Sequence, residues 1–136
     1  MDIYLDIYGT LIANSSPLND REQLLSYILD NFPNQIYWLT SYSAERIPEV
    51  LARDFGGKLL ERLKTEVQYC QSGIYKSDSI DFSNDFIWLD DNQSEVDYHA
   101  LKSHGTLDSF IQMNPNDPEM AKKALAVIKY RHGHSQ

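Results

Sequence analysis

Three acids, two hydroxyl residues and one lysine stand out for what they could do together. Asp6 follows the apolar and aromatic run Ile3-Tyr4-Leu5, and Gly9 lets the chain turn just beyond it. Thr40-Ser41 closes the run Gln35-Ile36-Tyr37-Trp38-Leu39, and Asp90-Asp91 closes Phe86-Ile87-Trp88-Leu89. Carboxylates joined by backbone carbonyls make a hard oxygen site that suits Mg²⁺. A hydroxyl and an ammonium beside such a site would bind phosphate oxygens. A carboxylate aimed at that phosphorus can attack it and form an aspartyl-phosphate. Asp90 and Asp91 are neighbours, so an extended backbone points them to opposite sides. One is then expected to meet the metal, and the other to orient loops or metal-bound water.

These groups meet only if the elements bearing them are parallel strands. The runs at 3–5, 35–39, 86–89 and 109–113 read as strands. Helical spacing joins Leu24, Leu25, Ile28, Leu29 and Phe32, with Asn19 or Asp20 as cap and Pro33 as stop. Further helices are expected over 44–55 (capped by Ser43), 58–69, 94–103 and 117–130 (capped by Asn116 or Asp117). The polar stretch 71–85 reads as irregular, with a short strand near Ile74. Strands alternating with helices predict an α/β protein, a three-layer α/β/α Rossmann-like parallel sheet. In such a sheet all strand ends share one rim, so the polar tips should converge.

A chain of 136 residues fits one domain, expected as a core over 1–131 with a disordered tail over 132–136 that holds His132 and His134. The net charge of −8 disfavours a polynucleotide or anionic membrane as partner. No run reaches the roughly 18 apolar residues of a membrane helix. The N-terminus has no basic segment of a secretory signal. Cys70 is the one cysteine, so no internal disulfide framework is possible, which suits a reducing cytoplasm.

The order Asp6-Ile7-Tyr8-Gly9-Thr10, then Leu39-Thr40-Ser41, then a lysine, then Trp88-Leu89-Asp90-Asp91 resembles the haloacid dehalogenase-like hydrolase superfamily. The phrases around Tyr37-Trp38 and Trp88 further resemble its small capless members linked to RNA-repair proteins. The resemblance implies a phosphatase with Asp6 as nucleophile and Thr40 and Ser41 as phosphate ligands. It also implies a lysine that neutralises the phosphoryl group. Lys76, in the loop before the third strong strand, is the choice, with Lys58 and Lys64 as substitutes. Mg²⁺ would be held by Asp6, the backbone carbonyl of Tyr8, and Asp91, with Asp90 in support. Without a large cap domain the site should be open. It would take a phosphorylated substrate, with a protein partner or a second copy to close it.

The chain departs from the family at Tyr8, where a second aspartate usually serves as acid and base. A phenol with an ordinary pKa near 10 is a poor base at neutral pH, and the lost proton shuttle is a factor of about 10² to 10⁴ in rate. Two other functions follow from that difference. One is a catalytically silent phosphate-binding or protein-interaction domain. The other is a dehalogenase-like enzyme, since the dehalogenating branch also carries Tyr here but normally has a cap and lacks the acidic pair. Tyr8, Tyr37, Trp38, Tyr42 and Trp88 lie near the expected rim, and Tyr42 is the best candidate for an aromatic platform.

Overall fold

In a computed structural model of the chain, residues 1–70 and 73–134 are described. They form an α/β fold around one five-stranded, all-parallel sheet. The strands are β1 (Asp2–Leu5), β2 (Ile36–Trp38), β3 (Gln68–Tyr69), β4 (Phe86–Asp90) and β5 (Phe110–Gln112), in the order β3-β2-β1-β4-β5. The helices are α1 (Leu18–Asn31), α2 (Ile47–Leu51), α3 (Gly57–Glu66), α4 (Glu95–Ser103) and α5 (Met120–His134).

β1 and β4 are buried at every position, as strands covered on both faces must be. Alternate residues serve opposite faces. Ile3, Leu5, Ile87 and Leu89 pack with Leu24 and Ile28 of α1, Val50 of α2, Leu63 of α3 and Ile128 of α5. Tyr4, Phe86 and Trp88 pack with Leu101 of α4 and Ile80 on the other face. The chain leaves β1 toward β2 on one side and leaves β4 toward β5 on the other. β1 and β4 nevertheless pair directly, Tyr4 opposite Trp88 and Leu5 opposite Leu89. The crevice beyond their carboxyl ends is therefore a topological switch point, where open α/β sheets bind ligands.

Several elements differ from the expectations. α1 starts at Leu18 behind Pro17, ahead of the expected caps, and Asp20 lies in its first turn. The helix expected over 44–55 shrinks to α2, because a turn closed by Arg46 N–H to Ser43 O leads into Pro48 near its start. α3 ends at Glu66, and Gln68 and Tyr69, expected as its last turn, form the edge strand β3. Ile74 forms no strand; it sits in a bend, 90% exposed. The rest of 73–85 is irregular apart from a 3₁₀ turn, Lys76–Ser79, and residues 71–72 lie outside the described residues. Ser94, expected as the first residue of its helix, instead caps α4, accepting from Asp97 N–H at 3.0 Å.

α5 begins at Met120 and continues through 132–134 of the expected tail. There His132 Nδ1 shares a hydrogen bond of 2.8 Å with the Tyr27 hydroxyl of α1. Residues 135–136 of that tail lie outside the described residues. No helix among the described residues is long and apolar enough to cross a membrane.

Candidate active site at the strand tips

Asp6 is the first residue past β1, and its N–H donates to Leu89 O of β4 at 3.0 Å. That bond carries the ladder one step beyond the strand and aims the side chain into the crevice. Thr10 Oγ1 donates to Asp6 Oδ2 at 3.3 Å across the turn. The turn itself depends on Gly9, whose φ is +78°, a region where a side chain is strained. A Cβ on Gly9 would also strike the Asp91 carboxylate, at 2.8 Å from its Cγ. The loop after β1 is braced from behind by buried Arg21, which donates to Leu11 O at 2.9 Å and Ser16 O at 3.0 Å. Arg21 also pairs with Asp54 at 2.6 Å.

Asp90 ends β4 and is 1% exposed. Its Oδ2 accepts from Lys76 Nζ at 2.6 Å and from the Trp88 indole N–H at 3.2 Å. Its Oδ1 accepts from Asn92 N–H at 3.2 Å. The same Lys76 ammonium donates to Asp6 Oδ1 at 3.2 Å, so one cation bridges the two buried carboxylates. Asp91 is less buried than Asp90 and stands against Gly9, yet both neighbours line the same cleft. Oxygens of Asp6, Asp90 and Asp91 lie within 4.8 Å of one another.

Thr40 follows β2 by two residues and is buried, its Oγ1 accepting from Tyr42 N–H at 3.4 Å. Exposed Ser41 lies beside it. Asp6, Tyr8, Thr40, Ser41, Lys76, Asp90 and Asp91 all line one cleft of about 660 Å³. Of the three candidate lysines, the fold brings only Lys76 to the acids. Lys58 sits in the first turn of α3, and Lys64 pairs with Glu61 at 3.3 Å on the same helix. The Tyr8 side chain is 57% exposed at the cleft mouth, and its phenol has no hydrogen-bond partner among the described residues.

Burial pushes the Asp6 carboxyl up from its ordinary range, against the pull of the Lys76 charge. Burial and then the Asp6 charge push Asp90 up to about 8. For Lys76, burial alone would favour the neutral amine, but Asp6 and Asp90 outweigh it and hold the ammonium above its usual pKa. Three acids against one ammonium leave surplus negative charge in a low-dielectric crevice. Protons relieve that surplus, and so would a divalent cation. The donor set fits a hard cation: all oxygen, carboxylates from two strand tips, and a neighbouring loop backbone.

Sequence reasoning missed the support of Lys76. Buried Asp97 of α4 accepts from Ser77 N–H at 3.0 Å and so ties down the 3₁₀ turn that bears the lysine. The capping-box spacing of Ser94-Glu95-Val96-Asp97 signals a helix start but not the bond to Ser77. The Trp88 indole and Arg21 were missed too, because burial of a polar group has no periodic signature. No family model matches the chain, and neither does any curated protein or solved structure.

Proposed function

We propose that this protein is a Mg²⁺-dependent phosphohydrolase of the haloacid dehalogenase-like kind, with Asp6 as nucleophile. The observation that carries the reading is the meeting of Asp6, Lys76 and Asp90, from three separate segments, at the switch point between β1 and β4. Asp6 Oδ attacks phosphorus, the ester oxygen leaves, and water then hydrolyses the acyl phosphate to return the carboxylate. Lys76 favours the charged form of Asp6 and would face the phosphoryl oxygens. Thr40 and Ser41 offer hydroxyl donors on the neighbouring tip. Mg²⁺, held by Asp6, Asp91 and the Tyr8 carbonyl with Asp90 in support, would supply the charge that offsets the phosphoryl group. Asp90, already bonded to Lys76, Trp88 and Asn92, fits the supporting role better than the direct one.

The test is p-nitrophenyl phosphate hydrolysis by wild type and Asp6→Asn, each with Mg²⁺ and with chelator. Metal-dependent turnover that disappears in Asp6→Asn is the expected result. A second reading, a silent phosphate-binding or interaction domain, is favoured by the exposed Tyr8 phenol, which has no hydrogen-bond partner among the described residues. It predicts no turnover in either protein while Mg²⁺ still raises the melting temperature.

A further inference from the structure

An acidic crevice explains the floor of the cleft but not its mouth. Ten large hydrophobic side chains are exposed among the described residues, and three of them, Tyr8, Ile74 and Tyr75, line this one cleft. Half-buried Tyr42 lines it as well. Single exposed apolar residues need no explanation, but several converging on a reactive site do. They come from three different loops, after β1, after β2, and ahead of Lys76.

The Tyr42 ring is braced, and the backbones bearing Tyr42 and Tyr75 are pinned, before any ligand arrives. Arg46 lies over the Tyr42 ring with Cζ at 5.5 Å from its centre. Tyr42 O accepts from the Tyr69 hydroxyl at 3.4 Å. Tyr75 N–H donates to Asp78 Oδ2 at 3.0 Å. Fixed aromatic faces bind flat apolar groups at low entropic cost. A cleft of about 660 Å³ also holds far more than a phosphate.

The leaving-group side shows a second limit. Asp90 has both oxygens engaged as acceptors, Asp97 accepts from Ser77 N–H, and Asp91 is packed against Gly9. Tyr8 also lines the cleft, and its phenol is a far weaker proton donor than a carboxylic acid. An alkoxide is as basic as hydroxide and cannot leave readily unprotonated, whereas a phenolate, whose acid has a pKa of about 10, can.

Building on the phosphohydrolase reading, we propose that the cleft takes aryl phosphate monoesters, the ring held by Tyr42, Tyr75 and Ile74 and the phosphate by the strand tips. Asp6 Oδ forms the new bond to phosphorus as the bond to the aryl oxygen breaks. The phenolate departs with the electron pair and takes its proton from solvent. The class has two sources, a free phenyl phosphate or the phosphotyrosyl side chain of a peptide. A nucleoside 5′-monophosphate presents a stacking base but leaves as an alkoxide, so it falls outside the class.

The experiment compares kcat/KM for phenyl phosphate, benzyl phosphate and a nucleoside 5′-monophosphate, with Mg²⁺ and the full chain. Benzyl phosphate keeps the ring but changes the leaving group. Phenyl phosphate should exceed both by on the order of 10²-fold or more. In parallel, calorimetry measures phenylphosphonate and methylphosphonate binding to wild type, Tyr42→Ala and Tyr75→Ala. The ring should improve wild-type affinity roughly 10-fold, and each substitution should remove most of that gain. A phosphotyrosyl peptide turned over faster than phenyl phosphate assigns a protein source, and the reverse assigns a small molecule.

Equal rates for phenyl and benzyl phosphate, with turnover still dependent on Asp6, overturn this inference and leave the phosphohydrolase reading intact. Equal affinities for the two phosphonates in wild type overturn it as well, without reliance on any variant. No turnover of any ester removes the phosphohydrolase reading, and this inference with it.

Discussion

Replacing Lys76 by Met tests whether one ammonium holds the crevice together. Met keeps most of the apolar stem and removes the charge that sits 3.2 Å from Asp6 and 2.6 Å from Asp90. Both carboxylates are at least nine-tenths buried. Removing one partner of a buried pair costs about 3–5 kcal/mol when the remaining charge has no relief. Protons provide that relief, so the cost must depend on pH.

The sign follows from the folded carboxyls lying above their unfolded values. Between about pH 4 and pH 8 the folded chain then binds more protons than the unfolded one, and stability falls as pH rises. One such group contributes a slope of about 1.4 kcal/mol per pH unit at most. Without Lys76, Asp6 rises further and its share of the same window grows, so the slope steepens toward twice that value. Lys76 itself has its folded pKa raised above 10.5, so its own titration lies above this window.

Urea unfolding of the metal-free proteins at pH 5 and pH 8 is the assay. The deficit of Lys76→Met should approach about 3–5 kcal/mol at pH 8 and shrink to about 1 kcal/mol at pH 5. A deficit that is the same at both pH values would refute the claim that the ammonium balances these two buried acids.

Gly9→Ala should lose about 1–2 kcal/mol through its positive φ. It should also halve or abolish any Mg²⁺-induced rise in melting temperature, because the new methyl displaces Asp91; an undiminished rise would take Asp91 out of the metal set. Tyr8→Asp should raise kcat/KM for benzyl phosphate by about 10²-fold through general acid catalysis, with little change for p-nitrophenyl phosphate, read by phosphate release. Asp97→Ala leaves the Ser77 N–H without its acceptor, a cost of about 1–3 kcal/mol. Its kcat should fall as the Lys76 turn loosens, and Asp97→Asn, which keeps an acceptor oxygen, should recover most of the loss in the same assay.

The strands that position the acids were legible because they are covered on both faces and so read as unbroken apolar runs at 3–5 and 86–89. Their polar ends, Asp6 and Asp90, announced themselves by contrast. The lysine was harder, since lysines everywhere look alike in sequence; its place before β4 singled it out, and the fold brings it to the acids. Two residues of β3, both exposed, carry no period at all, which is why they merged with the preceding helix. Arg21 and Asp97 were passed over for a related reason. A charged residue announces solvent, and only the carbonyls and N–H groups that meet it in space show that it is interior.

The pairing of β1 has a consequence for how the chain comes into being. On one side β1 meets β2, with Ile3 opposite Ile36, early in synthesis. On the other it waits for β4, with Asp2 opposite Phe86. Until then its open edge displays Ile3, Tyr4 and Leu5, a template for unwanted association of nascent chains. Such distant pairing is also slow to form. The step that seals the edge is the same one that brings Asp90 beside Asp6, so a half-made chain is exposed to aggregation for as long as its acids remain apart.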